Sequence, residues 1–135
     1  MQVHYPDVLD SKDIETVFRA ASKGRAQAVL TTNSGILNSH RTQVTDLAAK
    51  NRLPAIYWDS QFVEAGGLMF YGVNILDLDR RAATYVDKIL KGRTPADLPV
   101  EQPMKFEFVI NLKAAKAIGL TIPQWTLMKA TEVIR

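Results

Sequence analysis

The sequence predicts an α/β protein, a parallel sheet with flanking helices, and three observations carry that prediction. Stretches with a helical hydrophobic period alternate with short apolar runs along the chain. The runs AQAVLTT (26–32) and PAIYW (54–58) show no strict alternation, the pattern of strands covered on both faces. The segments between them are long enough for helices, and strands joined by helices imply right-handed crossovers and parallel pairing.

The first helix is read over Ser11–Lys23. Ile14, Val17, Phe18 and Ala21 fall at i, i+3, i+4 and i+7, on one stripe, and Gly24 is placed to end it. After the strand at 26–32, NSGILNS reads as a loop, and a second helix runs from about Ser39 to Asn51 with Val44, Leu47 and Ala48 inward. PAIYW is the next strand. FVEAGGLMFYG (62–72) then turns through Gly66 and Gly67 into a third strand at 68–71 and stops at Gly72. A long amphipathic helix follows over 74–91, its stripe built from Ile75, Leu78, Ala82, Tyr85, Val86 and Ile89, with Gly92 as the stop. RTPADLPVEQP (93–103) holds three prolines and reads as a crossing segment. KFEFVIN (105–111) alternates, with Phe106, Phe108 and Ile110 on one face. A short helix closed by Gly119, an extended Leu-Thr-Ile and a last helix opened by Pro123 complete the chain. The expected organisation is an α/β unit over 1–73, a long helix and crossing segment over 74–103, and a β-α-α tail over 104–135.

Composition removes several function classes. With 135 residues and 47% hydrophobic content the chain is long enough to bury a core as one domain of ordinary size. Its net charge of +3, from 17 basic and 14 acidic residues spread along the chain, is no nucleic-acid patch, so no nucleic-acid partner is expected. The absence of cysteine excludes disulfides, thiolate metal sites and a cysteine nucleophile. His4 and His40 are the only imidazoles, and their spacing suggests no metal site. No apolar run reaches the roughly 20 residues of a membrane span, and MQVHYPDVLD lacks the basic start and apolar core of a signal peptide. As it stands the chain is therefore not expected to be exported.

Open α/β sheets bind ligands beyond the carboxyl ends of their strands. TTNSG (31–35) and WDSQF (58–62) occupy that edge. Thr32, Asn33, Ser34 and Gly35 offer hydroxyls, an amide and backbone N–H groups near a helix start, suited to a carboxylate or another small polar group. Trp58 and Asp59 add an indole and a carboxylate. The same residue types also form turns and caps, so residue chemistry alone leaves both readings open. Enzyme readings fare worse. Ser39 beside His40 lacks a G-x-S-x-G elbow and a third partner, and there is no G-x-G-x-x-G or phosphate loop. Glu64, Asp77 and Asp79 read as solvated helix faces. No catalytic residue, cofactor or metal is expected.

The strings SHR, LPAIYW, FVEAGGLMFYGVN, RRAATYVDKILKG and TPADLPVEQPMKFEFVINLKAAKAIGLTIP, in that order, resemble the C-terminal part of ABC transporter solute-binding proteins of an uncharacterised periplasmic family. The resemblance runs from about Asp13 to Ile134. It implies a fold like type I periplasmic binding proteins, two α/β lobes closing on a solute, and no enzymatic activity. On that likeness residues 1–73 form part of the second lobe, Gly72 and Asn74 sit at the hinge, and 104–135 belong to the first lobe. Family members are more than twice as long, so the chain is expected to be a fragment, a truncated frame or a chain completed by another copy. The implied function is solute binding for an ABC importer of a small polar molecule such as an amino acid, outside the cytoplasm, with a permease as partner. The alternative is a sensory or dimerisation module on the same fold. A homodimer is expected, through exchange of the segment from about Leu98 to Arg135. Where many relatives carry a Pro-Asp-Pro type loop followed by aromatics, this chain has Asn33-Ser34-Gly35-Ile36-Leu37.

Overall fold

The computed structural model describes residues 2–135; Met1 lies outside the described residues. In chain order the elements are α1 (Ser11–Lys23), β1 (Val29–Leu30), α2 (Gly35–Ser39), α3 (Arg41–Lys50), β2 (Ala55–Tyr57), α4 (Gln61–Glu64), β3 (Met69–Val73), α5 (Ile75–Leu90), a 3-10 turn at Pro95–Asp97, β4 (Phe106–Asn111), α6 (Leu112–Ala117), α7 (Gln124–Leu127) and β5 (Glu132–Ile134). The chain divides into two units. One joins the residues up to Tyr71 with Phe108–Arg135; the other is Gly72–Glu107.

The first unit holds a five-stranded sheet in the order β1-β2-β3-β4-β5. β1 runs parallel to β2, with Val29 beside Ala55 and Leu30 beside Ile56. β2 runs parallel to β3, and β4 to β5. Ile14 and Phe18 of α1, Val44 and Ala48 of α3, Tyr57 of β2 and Phe62 of α4 are buried in one cluster. Within it the Tyr57 and Phe62 rings stack 4.9 Å apart at 6°. A second cluster joins Val63, Phe70 and Val109, with Ile134 packed against it. The amphipathic stripe of α1 works as its spacing predicts, and its start is fixed by Asp13, whose carboxylate accepts from the Leu9 and Asp10 amides at 3.0 and 2.9 Å.

From Phe108 onward the tail is in the same unit as β1 to β3, and Gly72–Glu107 forms the other unit. The Asn111 amide donates to Leu68 O at 2.8 Å and the Thr131 amide to Phe108 O at 2.8 Å, stitching β4 and β5 into the sheet. Alternation identifies a strand but not the neighbour it pairs with, so the sequence pattern could not place this strand beside β3. Other sequence expectations change. β1 is an edge strand rather than one covered on both faces, and Leu30 is 72% exposed. The loop NSGILNS contains α2, and the last predicted helix forms behind Pro123 as α7 but stops at Leu127 and is followed by β5.

Gly92 after α5 and Gly119 after α6 take the left-handed positions expected of helix-ending glycines, at φ 95° and 75°, but α1 and α3 end differently. Gly24 has φ −76°, and the left-handed position after α1 is taken by Arg25 at φ 55°. Arg52 does the same after α3 at φ 51°. At the Gly66-Gly67 turn the two glycines serve different ends: Gly66 adopts φ 100°, while Gly67 leaves space for Tyr57, whose ring would lie 2.5 Å from a Cβ there.

In the second unit, Asn74 caps α5 by accepting from the Asp77 amide at 2.7 Å, and its side-chain amide donates to Glu107. The proline-rich segment is tied to the helix by Tyr85, whose hydroxyl donates to Pro99 O at 2.5 Å, and by the Arg81–Glu101 ion pair. No residue of α5 is buried; Ile75, Leu76, Val86, Ile89 and Leu90 are exposed.

Candidate functional site

Parallel pairing sends β1 and β2 out at the same sheet edge. The Thr31 amide still donates to Ile56 O at 3.1 Å, so the ladder runs one residue past β1 before the chain opens into the first loop. Thr32, Asn33 and Gly35 are exposed there. Ser34 is half-buried, and its hydroxyl accepts from the Leu37 amide at 3.4 Å as the cap of α2. A Cβ on Gly35 would meet nothing within 4 Å. On the β2 side Trp58 is half-buried and packs against the core cluster that contains Tyr57 and Val44. Asp59 accepts from the Gln61 amide at 2.8 Å, whereas Ser60 makes no side-chain cap. Five of the six candidate residues thus lie in the two loops at one edge, and Gly35 opens α2 beside them. Ser34 and Asp59 also do the capping work that the residue types allowed.

Burial pushes the Tyr57 phenol well above its ordinary value, so this ring stays neutral behind the loops. Ser39 and His40 are engaged with their own helix: the serine hydroxyl donates to Gly35 O at 3.0 Å, and His40 Nδ1 lies 3.0 Å from Ile36 O. Among the described residues no group of three or more His, Asp or Glu side chains is placed to hold a metal ion, and no helix is long and apolar enough to cross a membrane.

Sequence reading missed part of this edge. Thr31 Oγ1, Asn38 Oδ1, Arg41 Nε and Trp58 Nε1 are buried without a hydrogen-bond partner in the protein. Trp58 and the loop that begins at Thr31 were already in the sequence reading; the advance signal for Arg41 was the string SHR, which it ends. Two recesses lie elsewhere. A slot of about 10 Å³, lined by Thr45, Tyr57, Gly67 and Ala114 among others, has room for one water at most. An open groove of about 440 Å³ runs along Leu78, Tyr85 and Ile89 of α5. Neither includes a residue of the two loops. The chain leaves the first unit after Tyr71, so Gly72 opens the second and Asn74 follows as the cap of α5.

The sequence model of the family described as ABC transporter substrate binding protein matches residues 1–134. The chain belongs to that family. Among curated relatives is the tyrosine-binding protein of Clostridioides difficile (strain R20291), 24% identical over 97 residues, or 72% of this chain and 28% of the relative. Among solved structures, the ABC domain in complex with L-Trp from Streptococcus pneumoniae superposes with a TM-score of 0.87 at 26% identity, over 99% of this chain and 45% of that one. A conserved domain protein from Vibrio cholerae O1 biovar eltor str. N16961 gives 0.83 at 25% identity, over 93% and 42%. The chain therefore spans about a quarter of the curated relative and less than half of these solved chains.

Proposed function

We propose that this chain supplies one wall of the solute cleft in a binding component of an ABC importer, working outside the cytoplasm with a permease. The solute is a small polar molecule such as an amino acid, and Thr32, Asn33, Ser34, Gly35, Trp58 and Asp59 line the wall. The observation that carries this reading is the common exit of the parallel strands β1 and β2, which gathers both loops at one carboxyl edge. The names of two similar proteins, one binding tyrosine and one in complex with L-Trp, agree with it. Gly72 and Asn74 act as the hinge, where the chain passes from one unit to the other. Taken alone, two copies of the chain associate by exchanging the segment from about Leu98 to Arg135, in which Phe106, Trp125 and Met128 are exposed. Light scattering after gel filtration reads that directly, and a monomeric mass at tens of micromolar overturns it.

An open wall gives only part of a ligand's contact surface and cannot close. Losing half the contacts costs about 4 kcal/mol, roughly a thousandfold in affinity. Calorimetry with L-tryptophan and L-tyrosine is expected to show millimolar binding to this chain, weakened by Trp58→Ala. Sub-micromolar binding would refute the one-wall reading, and no heat or saturation at millimolar solute would refute the solute-binding role.

A further inference from the structure

The second unit is joined to the first by two passes of chain, one leaving at Tyr71–Gly72 and one returning at Glu107–Phe108. Leu68 O accepts from the Asn111 amide at 2.8 Å, and Lys105 O accepts from the Asn74 amide at 3.0 Å. Six residues forward from Leu68 to Asn74 thus match six residues back from Asn111 to Lys105, so β3 and β4 run antiparallel. Side chains alternate along a strand, and this register puts Asn74 and Lys105 on one face with Glu107 diagonal to Asn74.

Asn74 is bonded three ways where this ladder meets α5. Its amide belongs to the ladder, its Oδ1 accepts from the Asp77 amide at 2.7 Å as the helix cap, and its Nδ2 donates to the Glu107 carboxylate. Lys105 Nζ lies 3.0 Å from Asp77 Oδ1 and closes a ring of contacts back to the ladder. The lysine side chain is 67% exposed, and an ion pair that open contributes little. The bond from Asn74 to Glu107 is half-buried and charge-assisted, so it carries most of the connection between the two passes.

A single pass of chain can turn about each of its backbone bonds, but two passes fastened to each other cannot turn separately. We propose that Asn74, Asp77, Lys105 and Glu107 form a clasp that makes the outgoing and returning passes turn as one, with Asn74 as its positioning residue. This rests on the hinge reading above and divides the work within it: Gly72 takes up the rotation, and Asn74 fixes the start of α5 to the returning strand. An amide suits the position because it both accepts and donates, whereas a carboxylate there keeps the cap and loses the donor.

The test separates clasp from cap. In Asn74→Asp the carboxylate still accepts from the Asp77 amide but faces the Glu107 carboxylate; adding Glu107→Gln turns the pair round, with the glutamine amide as donor. Hydrogen exchange of the whole chain, followed by nitrogen-15 NMR, reads the amides of residues 74, 77 and 111. Asn74→Asp is expected to lower protection at residue 74 about tenfold, to leave 77 and 111 within about twofold, and to regain the parental value at 74 in the double variant. Unchanged protection at 74 in Asn74→Asp, or no recovery in the double variant, overturns the clasp. In the unaltered chain the Asn74 side-chain N–H signals should exchange more slowly than those of the exposed Asn33; equal rates overturn the clasp however the variants fold. Relaxation dispersion at Gly72 reads the hinge by itself. A flat profile there, with the exchange pattern as expected, removes the hinge reading and leaves the clasp standing.

Discussion

Replacing Gly67 by alanine puts a methyl group where two rigid neighbours already stand. Its Cβ would lie 2.5 Å from Tyr57 Cε2, 2.7 Å from Phe62 O and 3.0 Å from Tyr57 Cδ2. The ring cannot swing away freely, because Tyr57 is 1% exposed and stacked on Phe62. The carbonyl cannot retreat either, since it accepts the Gly67 amide itself at 2.8 Å. Overpacking costs about 1–3 kcal/mol, and two stiff contacts place this change at the upper end, about 3 kcal/mol. With a urea dependence of about 1.5 kcal/mol per molar, the unfolding midpoint should fall by about 2 M. Gly35→Ala, which meets open space, is the control and should stay within about 0.5 kcal/mol. In a Tyr57→Leu background the cost of Gly67→Ala should shrink, since the ring contact is gone. A Gly67→Ala midpoint equal to that of the parent, or an undiminished cost of Gly67→Ala once the Tyr57 ring has been replaced by the shorter leucine side chain, would refute the packing argument.

Three further outcomes follow from features described above. Arg52→Gly relieves a left-handed backbone at φ 51° and should stabilise the chain by about 0.5–1 kcal/mol in the same urea assay; a loss of stability would contradict it. Asn74→Ala removes the cap of α5 and should cost about 1 kcal/mol of helix stability, seen as faster amide exchange in the first turn of α5 but not in α1. The hydrogen bond from Arg81 holds the Glu101 carboxyl below its ordinary value of 4.5. Its contribution is therefore present above that value and lost as pH falls through the lower folded-state value. Carbon-13 titration should find the Glu101 midpoint below 4.5 and, in Arg81→Gln, moved up toward it; identical midpoints would remove the ion pair's role.

What could be read from the sequence was what a local pattern determines. The stripe of α1 and the apolar run of β2 are each set by a few neighbouring residues, and both elements form where their periodicity places them. α2 was invisible because Asn33-Ser34-Gly35 is also turn chemistry, and only the Ser34 cap shows that a helix starts there. β5 is three residues long, too short for its alternation to be distinguished from the end of a helix. The strand at 106–111 was legible but not its sheet, because the bond from Asn111 to Leu68 joins residues far apart in sequence. Likewise the loops of the candidate site were legible from the rule for parallel strands. The missing partners of Thr31, Asn38 and Arg41 depend on what the fold brings near them, and no spacing encodes that.

The first unit is discontinuous in sequence, and this sets an order on its assembly. β3 acquires its second neighbour only when β4 arrives, after the whole of Gly72–Glu107 has been made. Closing an excursion on the order of 35 residues costs about 3 kcal/mol of chain entropy before the Asn111–Leu68 bond can form. During synthesis, therefore, β1 to β3 emerge as a half-sheet with a bare strand at its growing side. Until β4 leaves the ribosome, that bare edge is where a nascent chain of this protein is open to pairing with the wrong strand, or to a chaperone.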